Sequence, residues 1–252
     1  MKIGLTYDLR QLYLEQGYSE EATAEFESQE TVQALISTVR SLGFEPDPIG
    51  HFKALARRVL DGDRWDLVFN VAEGMHGFGR ESQVPCLLDS FAIPYTFSDP
   101  LVLSVALHKA ITKRVLRDMG VPTPDFVLVD SLEELSAVDL TFPLFLKPVA
   151  EGTSKGITAA SRVCAPHELP PAFELICRKY DQPVLVEEFL PGREFTVGIT
   201  GTGARSQVLE SWKSFWRKRP SPSSIPMPTR PTTKRSSSIA LSRTKPPGGP
   251  QK

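Results

Sequence analysis

The most informative stretch of this 252-residue chain is a lysine followed by a loop of small and hydroxyl residues. An apolar run ends in Lys147, and the loop 151–156 follows it. Because Gly152 and Gly156 carry no side chain, backbone N–H groups in this loop can approach phosphate oxygens closely. The pattern indicates a phosphate-binding loop, although a Gly/Ser loop after a strand is often only a connection.

A second stretch supplies acceptors for a nucleoside. The apolar run 184–186 ends in Glu187, and Glu194 follows a Pro-Gly turn. One carboxylate could accept the amino group of adenine and the other the hydroxyls of ribose. Paired glutamates alone are typical of a solvated edge, and an apolar run alone is typical of a buried strand. The order and spacing of both stretches together predict an ATP site.

The elements that must position these residues follow from apolar spacing and from capping signals. Apolar runs predict strands, spacing of three and four predicts helices, and Ser28 and Gly43 mark the limits of one helix. The alternation of the two without tandem repeats predicts an α/β fold. The strands are predicted over 2–7, 65–71, 125–129, 144–147 and 184–188, and the helices over 28–42, from 82, over 100–119 and over 171–180.

Two further groups lie where these elements end. Lys109 and Lys113 are one turn apart in the predicted helix 100–119 and therefore share a face, which is more often a solvated surface than a phosphate clamp. The downstream ATP motif favours the phosphate role for Lys109. The strand 65–71 delivers Glu73 into a glycine-rich loop. Ligands of open α/β sheets bind beyond the carboxyl ends of strands, so we expect this loop to form a substrate wall or merely a connection.

Taken together, these stretches resemble the ATP-grasp superfamily, most closely the D-alanine–D-alanine ligase type. The matching segments span residues 1–204. They are Asp66-Leu67-Val68-Phe69-Asn70-Val71-Ala72-Glu73-Gly74, Ile93-Pro94-Tyr95-Thr96, Lys109-Ala110-Ile111-Thr112-Lys113, 145–156 and 184–194.

The resemblance implies a fold, a reaction and a set of site residues. The fold would be a parallel-sheet pre-ATP-grasp domain over 1–98 and the first part of an ATP-grasp α+β domain over 99–204. The reaction would join a carboxylate to an amine through an acyl phosphate, with ATP and Mg²⁺ as cofactors. The implied binding residues are Lys109 and Lys147 for phosphates, Glu151, Gly152, Thr153, Ser154 and Gly156 as the mobile loop, Glu187, Phe189 and Leu190 for adenine, and Glu194 for ribose.

The amino-acid substrate is less well defined than the nucleotide. In the ligases an acid usually precedes the first lysine, but here it is His108, and Thr153 stands where serine is common. D-Alanine and another small amino acid or peptide acceptor therefore both fit. Glu73 and Thr153 are the only candidates for catalysis, and the catalytic set is otherwise unassigned.

The segment 205–252 differs in composition from the rest of the chain. It holds 11 Lys and Arg residues against one acid, Glu210, whereas residues 1–204 hold 18 basic and 29 acidic residues. It also carries 8 of the 22 prolines. Its lack of apolar periodicity predicts disorder, with a basic interaction arm as an alternative.

A frameshift near residues 204–209 explains the segment better. Permissible GC-rich codons for Ser211–Arg230, read one nucleotide out of step, give VVEVVLEEKAEPELYSYANK, which has the strand, acidic turn and aromatic-lysine pattern of the ligases. The family's magnesium ligands and its transition-state arginine would lie in the replaced third. We therefore expect no metal ligands in this chain and no ligase turnover.

Composition excludes several classes of protein. There is no apolar run of about 18 residues, and Met1–Leu5 enters a strand directly rather than a signal peptide. Three cysteines without a CxxC motif indicate reduced thiols, and the four histidines lack metal-ligand spacing. We expect a cytoplasmic cell-wall enzyme or a non-catalytic nucleotide-binding module, without nucleic-acid or membrane partners, and with a homodimer left open.

Overall fold

The computed structural model describes residues 1–213, with side chains up to residue 209. The predicted α/β class is confirmed. The strands are β1 Lys2–Tyr7, β2 Glu45–Gly50, β3 Leu67–Val71, β4 Phe126–Val129, β5 Leu144–Pro148, β6 Arg162–Val163, β7 Val184–Glu188, β8 Phe195–Thr200 and β9 Gln207–Lys213. The helices are α1 Arg10–Glu15, α2 Gln29–Ser41, α3 Phe52–Leu60, α4 Gln83–Ser90, α5 Pro100–Leu107, α6 Lys109–Asp118 and α7 Leu169–Tyr180.

The first sheet is parallel, in the order β2-β1-β3, and is covered by helices on both faces. Ile3 and Leu5 of β1 pack against α2 on one face, while β3 packs against α3 and α4 on the other. Gly4 faces the second layer, where a Cβ would lie 2.6 Å from Ile49 Cδ1. The central strand therefore needs glycine for its neighbours to approach this closely.

The second sheet is antiparallel, in the order β4-β7-β5-β6. One face packs on α7 through Leu144, Leu146, Val184 and Val186. The opposite face, which carries Leu185, packs beside α6. Because side chains alternate along a strand, every second residue of β5 and β7 is delivered to that opposite face.

The predicted helix 100–119 is two helices, which corrects the sequence-based expectation. The helical conformation is interrupted at His108, whose backbone angles, φ −88° and ψ 92°, lie outside the helical region. The His108 ring nitrogen Nδ1 accepts from the Ile111 N–H at 3.3 Å and so caps α6. Apolar spacing continues through both helices, so the pattern alone could not show the break.

A strand also begins inside the segment predicted to be disordered. β9 pairs with β8 in an antiparallel two-stranded sheet, across a turn containing Gly201 with φ +86°. The expectation of disorder is therefore wrong for residues 207–213. Residues 214–252, on which the rest of the disorder prediction and most of the frameshift prediction fall, lie outside the described residues.

Candidate nucleotide site

Lys147 and Glu187 come together because they occupy adjacent strands with a fixed register. Phe145 of β5 lies opposite Glu187 of β7, and Lys147 lies opposite Leu185. Lys147 and Glu187 are therefore diagonal neighbours on one face of the sheet, where long side chains can meet. The Lys147 Nζ atom lies 2.5 Å from Glu187 Oε1. The structure therefore brings together two residues that the sequence analysis assigned to one site, and their role there stays a prediction.

A second lysine reaches the same carboxylate from the helix that covers this face. Lys113 Nζ lies 2.7 Å from Glu187 Oε2 and 5.2 Å from the centre of the Phe126 ring. Burial would raise the pKa of Glu187, but the charges of Lys147 and Lys113 hold it below its ordinary value. Glu187 is thus a charged acceptor with both oxygens engaged by lysines.

The loop 151–156 adopts a backbone that few residues tolerate. Thr153 and Ser154 both have positive φ, at 47° and 60°, and Gly156 has φ +76°. A left-handed conformation is strained for β-branched threonine, and such residues collect at ligand-binding turns. A Cβ on Gly156 would lie 2.5 Å from Pro148 Cγ, so only glycine fits there. Consecutive turn residues of this kind can aim backbone N–H groups at an anion.

Lys109 starts α6 beside this loop. Its backbone N–H donates to the Val149 carbonyl at 3.0 Å, and its Nζ donates to the Glu151 carbonyl. Burial and the neighbouring charge of Lys147 lower the pKa of Lys109 to about 8. Lys109 at the start of α6 and Lys147 near the end of β5 repel each other, and such a pair of cations is suited to binding a polyanion.

The loop is tied to the first sheet's domain by a buried group of charges that the sequence analysis did not identify. Glu25 Oε1 accepts from the Gly152 N–H at 2.7 Å, and Glu25 Oε2 lies 3.2 Å from Arg80 and 3.4 Å from Lys155. Lys155 also lies 2.6 Å from Glu151. Glu25 comes from an irregular segment and Arg80 from a short turn, so neither had a periodic signal.

Glu73 lies beside this group but has a different environment. Its backbone N–H and that of Gly74 donate to Asp8 Oδ2 at 3.1 and 2.9 Å, which fixes the end of β3. Burial raises the pKa of the Glu73 carboxyl to about 7, with Glu81 and Glu25 adding to the rise. A carboxyl with such a pKa can exchange a proton near neutral pH.

The residues expected to surround the base and ribose are more exposed. The Phe189 ring lies 6.1 Å from that of Phe145 and 4.8 Å from the Arg162 guanidinium. Leu190 is exposed, as is Glu194 in the segment before β8. The structure thus places Phe189 beside Phe145 of β5, while Glu194 lies in the exposed segment before β8.

No group of three or more acids, histidines or cysteines that could hold a metal ion occurs within residues 1–213. The magnesium suggested by the resemblance therefore has no ligand set among the described residues. The same part of the chain contains no helix long and apolar enough to cross a membrane.

Comparison with known proteins gives a consistent family relationship. Residues 115–215 match the family model described as D-ala D-ala ligase C-terminus. A D-alanine–D-alanine ligase of Bordetella pertussis is 40% identical over 138 residues, which are 54% of this chain and 42% of the relative. The protein y4sG of Sinorhizobium fredii, described as uncharacterized, is 42% identical over 135 residues, 54% of this chain and 39% of the relative. The chain thus spans about two fifths of the length of these relatives.

The fold comparison covers more of the chain. The VanG D-Ala:D-Ser ligase of Enterococcus faecalis superposes with a TM-score of 0.62 at 22% identity, covering 84% of this chain and 69% of that one. At this identity the likeness establishes a common fold.

Proposed function

Because this chain is a D-alanine–D-alanine ligase-like protein of the ATP-grasp superfamily, we propose that residues 99–204 bind ATP. The observation that carries the proposal is Lys109, whose Nζ donates to the Glu151 carbonyl at the start of the loop 151–156 and which lies close enough to Lys147 for the two charges to repel. Burial and mutual repulsion lower the pKa of Lys109, and a bound polyphosphate would relieve both effects. The left-handed residues Thr153 and Ser154 present their backbone at the same place.

The remaining roles follow the arrangement of the strands. Lys109, Lys147 and the loop, with Glu151, Gly152 and Gly156, would hold the phosphates. Glu187 would accept the adenine amino group beside the backbone of Phe189 and Leu190. Glu194 would hold the ribose hydroxyls after the exposed segment 191–194 moves toward the site.

The names of the relatives support carboxylate–amine ligation as the ancestral reaction. In that reaction a carboxylate oxygen attacks the terminal phosphorus of ATP, ADP leaves, and an acyl phosphate forms. The amine then attacks the acyl carbon and phosphate leaves with the bonding electron pair. We propose a small amino acid such as D-alanine as the substrate, with another amino acid or peptide as the alternative. Glu73 and Thr153 are the candidates for contacts with it.

We propose further that this chain binds nucleotide without completing ligation. Magnesium would supply positive charge for phosphoryl transfer when bound, but residues 1–213 hold no group of three or more acids, histidines or cysteines that could hold it, and residues 205–252 contain one acid. A non-catalytic nucleotide-binding module is therefore the second candidate function. A cytoplasmic location, a homodimer and the absence of nucleic-acid partners stay predictions.

Calorimetric titration of ATP and GTP into the full chain tests the site. Lys147→Ala should weaken ATP binding by about 10- to 100-fold, since a charge-assisted contact contributes about 1.5–3 kcal/mol. Glu187→Ala should instead reduce the preference for ATP over GTP, because guanine presents a carbonyl acceptor where adenine presents an amino donor. The control is Lys53→Ala, on the exposed surface of α3. Unchanged affinity and preference in both site variants would contradict the assignment.

A further inference from the structure

Lys113 is a buried cation with no role in the predicted nucleotide site. Its side chain is 10% exposed and its Nζ lies between Glu187 Oε2, at 2.7 Å, and the ring of Phe126. The helix that carries it is held against the sheet by Ala110, which is fully buried beside Val149. Lys113 is therefore fixed behind Glu187, on the inner side of the site.

Lys147 holds the other oxygen of the same carboxylate but is less enclosed. Its side chain is 21% exposed, twice the fraction of Lys113, and its strand ends at the loop that would hold phosphate. The two lysines thus divide one carboxylate, Lys147 on Oε1 and Lys113 on Oε2. Lys147 is thus the more exposed of the two lysines and the nearer to the loop 151–156 along the chain.

We propose that Lys113 is a positioning residue that allows Lys147 to change partners. When nucleotide binds, Lys147 leaves Glu187 for a phosphate, and Lys113 remains on Oε2. Glu187 then stays charged and in place, with Oε1 free to accept the amino group of adenine. This inference rests on the proposed ATP site and adds a residue that couples its phosphate and base subsites.

The physical reason is the penalty for an unpaired buried charge. A carboxylate taken out of water without a cation is strongly unfavourable, and removing one partner of a buried pair is correspondingly destabilising. If Lys147 were the sole counterion of Glu187, phosphate binding would leave this carboxylate uncompensated. With Lys113 in place, Glu187 keeps a cationic partner both with and without bound phosphate. Glu187 therefore holds Lys147 less firmly than it would as a single pair.

The test measures binding of ATP and of inorganic tripolyphosphate to the full chain. Lys113→Met should weaken tripolyphosphate binding at least tenfold, although Lys113 would not touch it, and Lys113→Arg should restore most of the affinity. Lys53→Met on α3 is the control for loss of one positive charge. Equal tripolyphosphate affinity in wild type and Lys113→Met would overturn the proposal.

A double variant separates this coupling from a general loss of charge or of fold. Glu187→Gln removes the negative charge that competes for Lys147, so adding Lys113→Met to it should change tripolyphosphate affinity less than threefold. Lys113→Met is compared in two backgrounds, wild type and Glu187→Gln. If it weakens tripolyphosphate binding equally in both, Lys113 and Glu187 act independently and the proposal fails.

A nucleotide-free measurement keeps this inference distinguishable from the proposed function. If wild type binds neither ATP nor tripolyphosphate, the ATP-site proposal fails, and acetylation of Lys147 by an activated ester, followed by mass spectrometry, still tests the division of Glu187. Lys147 should react at least threefold more slowly in Lys113→Met than in wild type, because it becomes the sole partner of the carboxylate. Equal rates would overturn the role of Lys113.

Discussion

Two buried carboxylates, Glu187 and Glu25, are each held by two cations, but the supporting structures differ. Glu187 and its partners Lys113 and Lys147 lie on one helix and two adjacent strands, whose register fixes their spacing. Glu25 lies in an irregular segment, and its partners Arg80 and Lys155 lie 55 and 130 residues away along the chain. The first group lies on the second sheet and its covering helix, whereas the second connects the loop 151–156 with Glu25 and Arg80, which are far from it in sequence.

In the proposed nucleotide site, the base side would be held by one sheet and its covering helix, and the phosphate side by contacts between segments far apart in sequence. The loop 151–156 is held by contacts with the first domain, since Glu25 accepts from Gly152 and Arg80 donates to the Ala150 carbonyl at 2.9 Å. The position of the loop therefore depends on residues far away in sequence, whereas the position of Glu187 depends on the neighbouring strand and helix.

The largest expected effect comes from breaking the assembled group at its centre. Arg80 is buried and lies near both Glu25 and Glu151, so Arg80→Met leaves two carboxylates sharing Lys155. Removing one partner from a buried ion group typically destabilises a protein by about 3–5 kcal/mol. Urea unfolding followed by circular dichroism should show this loss, whereas Arg57→Met on the exposed face of α3 should change stability by less than about 0.5 kcal/mol. A loss below about 1 kcal/mol for Arg80→Met would contradict the central role of this residue.

A smaller and more local effect distinguishes the two carboxylates. Glu25→Gln keeps an oxygen for the Gly152 N–H but removes the charge that attracts Arg80 and Lys155. Amide hydrogen exchange in 151–156 should accelerate about tenfold, equivalent to about 1.4 kcal/mol of local opening. Glu187→Gln should leave exchange in this loop unchanged. If Glu25→Gln and Glu187→Gln accelerate exchange in 151–156 equally, the loop and the surroundings of Glu187 open together. The proposed difference between the two carboxylates would then be wrong.

The two groups also show what the sequence could predict. The strands β5 and β7 were predicted correctly because an apolar run is a local signal, and α2 was bounded by Ser28, whose side chain accepts from the Thr31 N–H at 3.2 Å. The pairing of Lys147 with Glu187 follows once those strands are neighbours. The Glu25 group could not be predicted, because its members share no period and meet only through the fold.

The missed strand β2 has a similar explanation. Its sequence contains Pro46 and Pro48, and prolines argue against a strand because they remove ladder donors. The structure places β2 at the edge of its sheet, where one side of the strand needs no partner. Edge position depends on the complete topology, which local pattern does not contain.

The third prediction concerns Glu73, a carboxyl near Glu25 whose pKa is shifted in the opposite direction from that of Glu187. Burial and the charges of Glu81 and Glu25 raise the pKa of Glu73 to about 7, from 4.5. Between pH 4.5 and 7 the folded chain holds a proton that the unfolded chain has released, so this group's contribution to stability falls as pH rises.

Glu73→Gln removes that titration and should therefore gain stability relative to wild type as pH rises from 5 to 8. Allowing for partial solvent access, the gain should be about 1–2 kcal/mol. Urea unfolding at both pH values measures it, and Glu45→Gln, exposed on β2, serves as the control with no such pH dependence. A difference between Glu73→Gln and wild type that is the same at both pH values would show that Glu73 is as well compensated as Glu187. The contrast between Glu187, which is paired with two lysines, and Glu73, whose pKa is raised by burial, would then not hold.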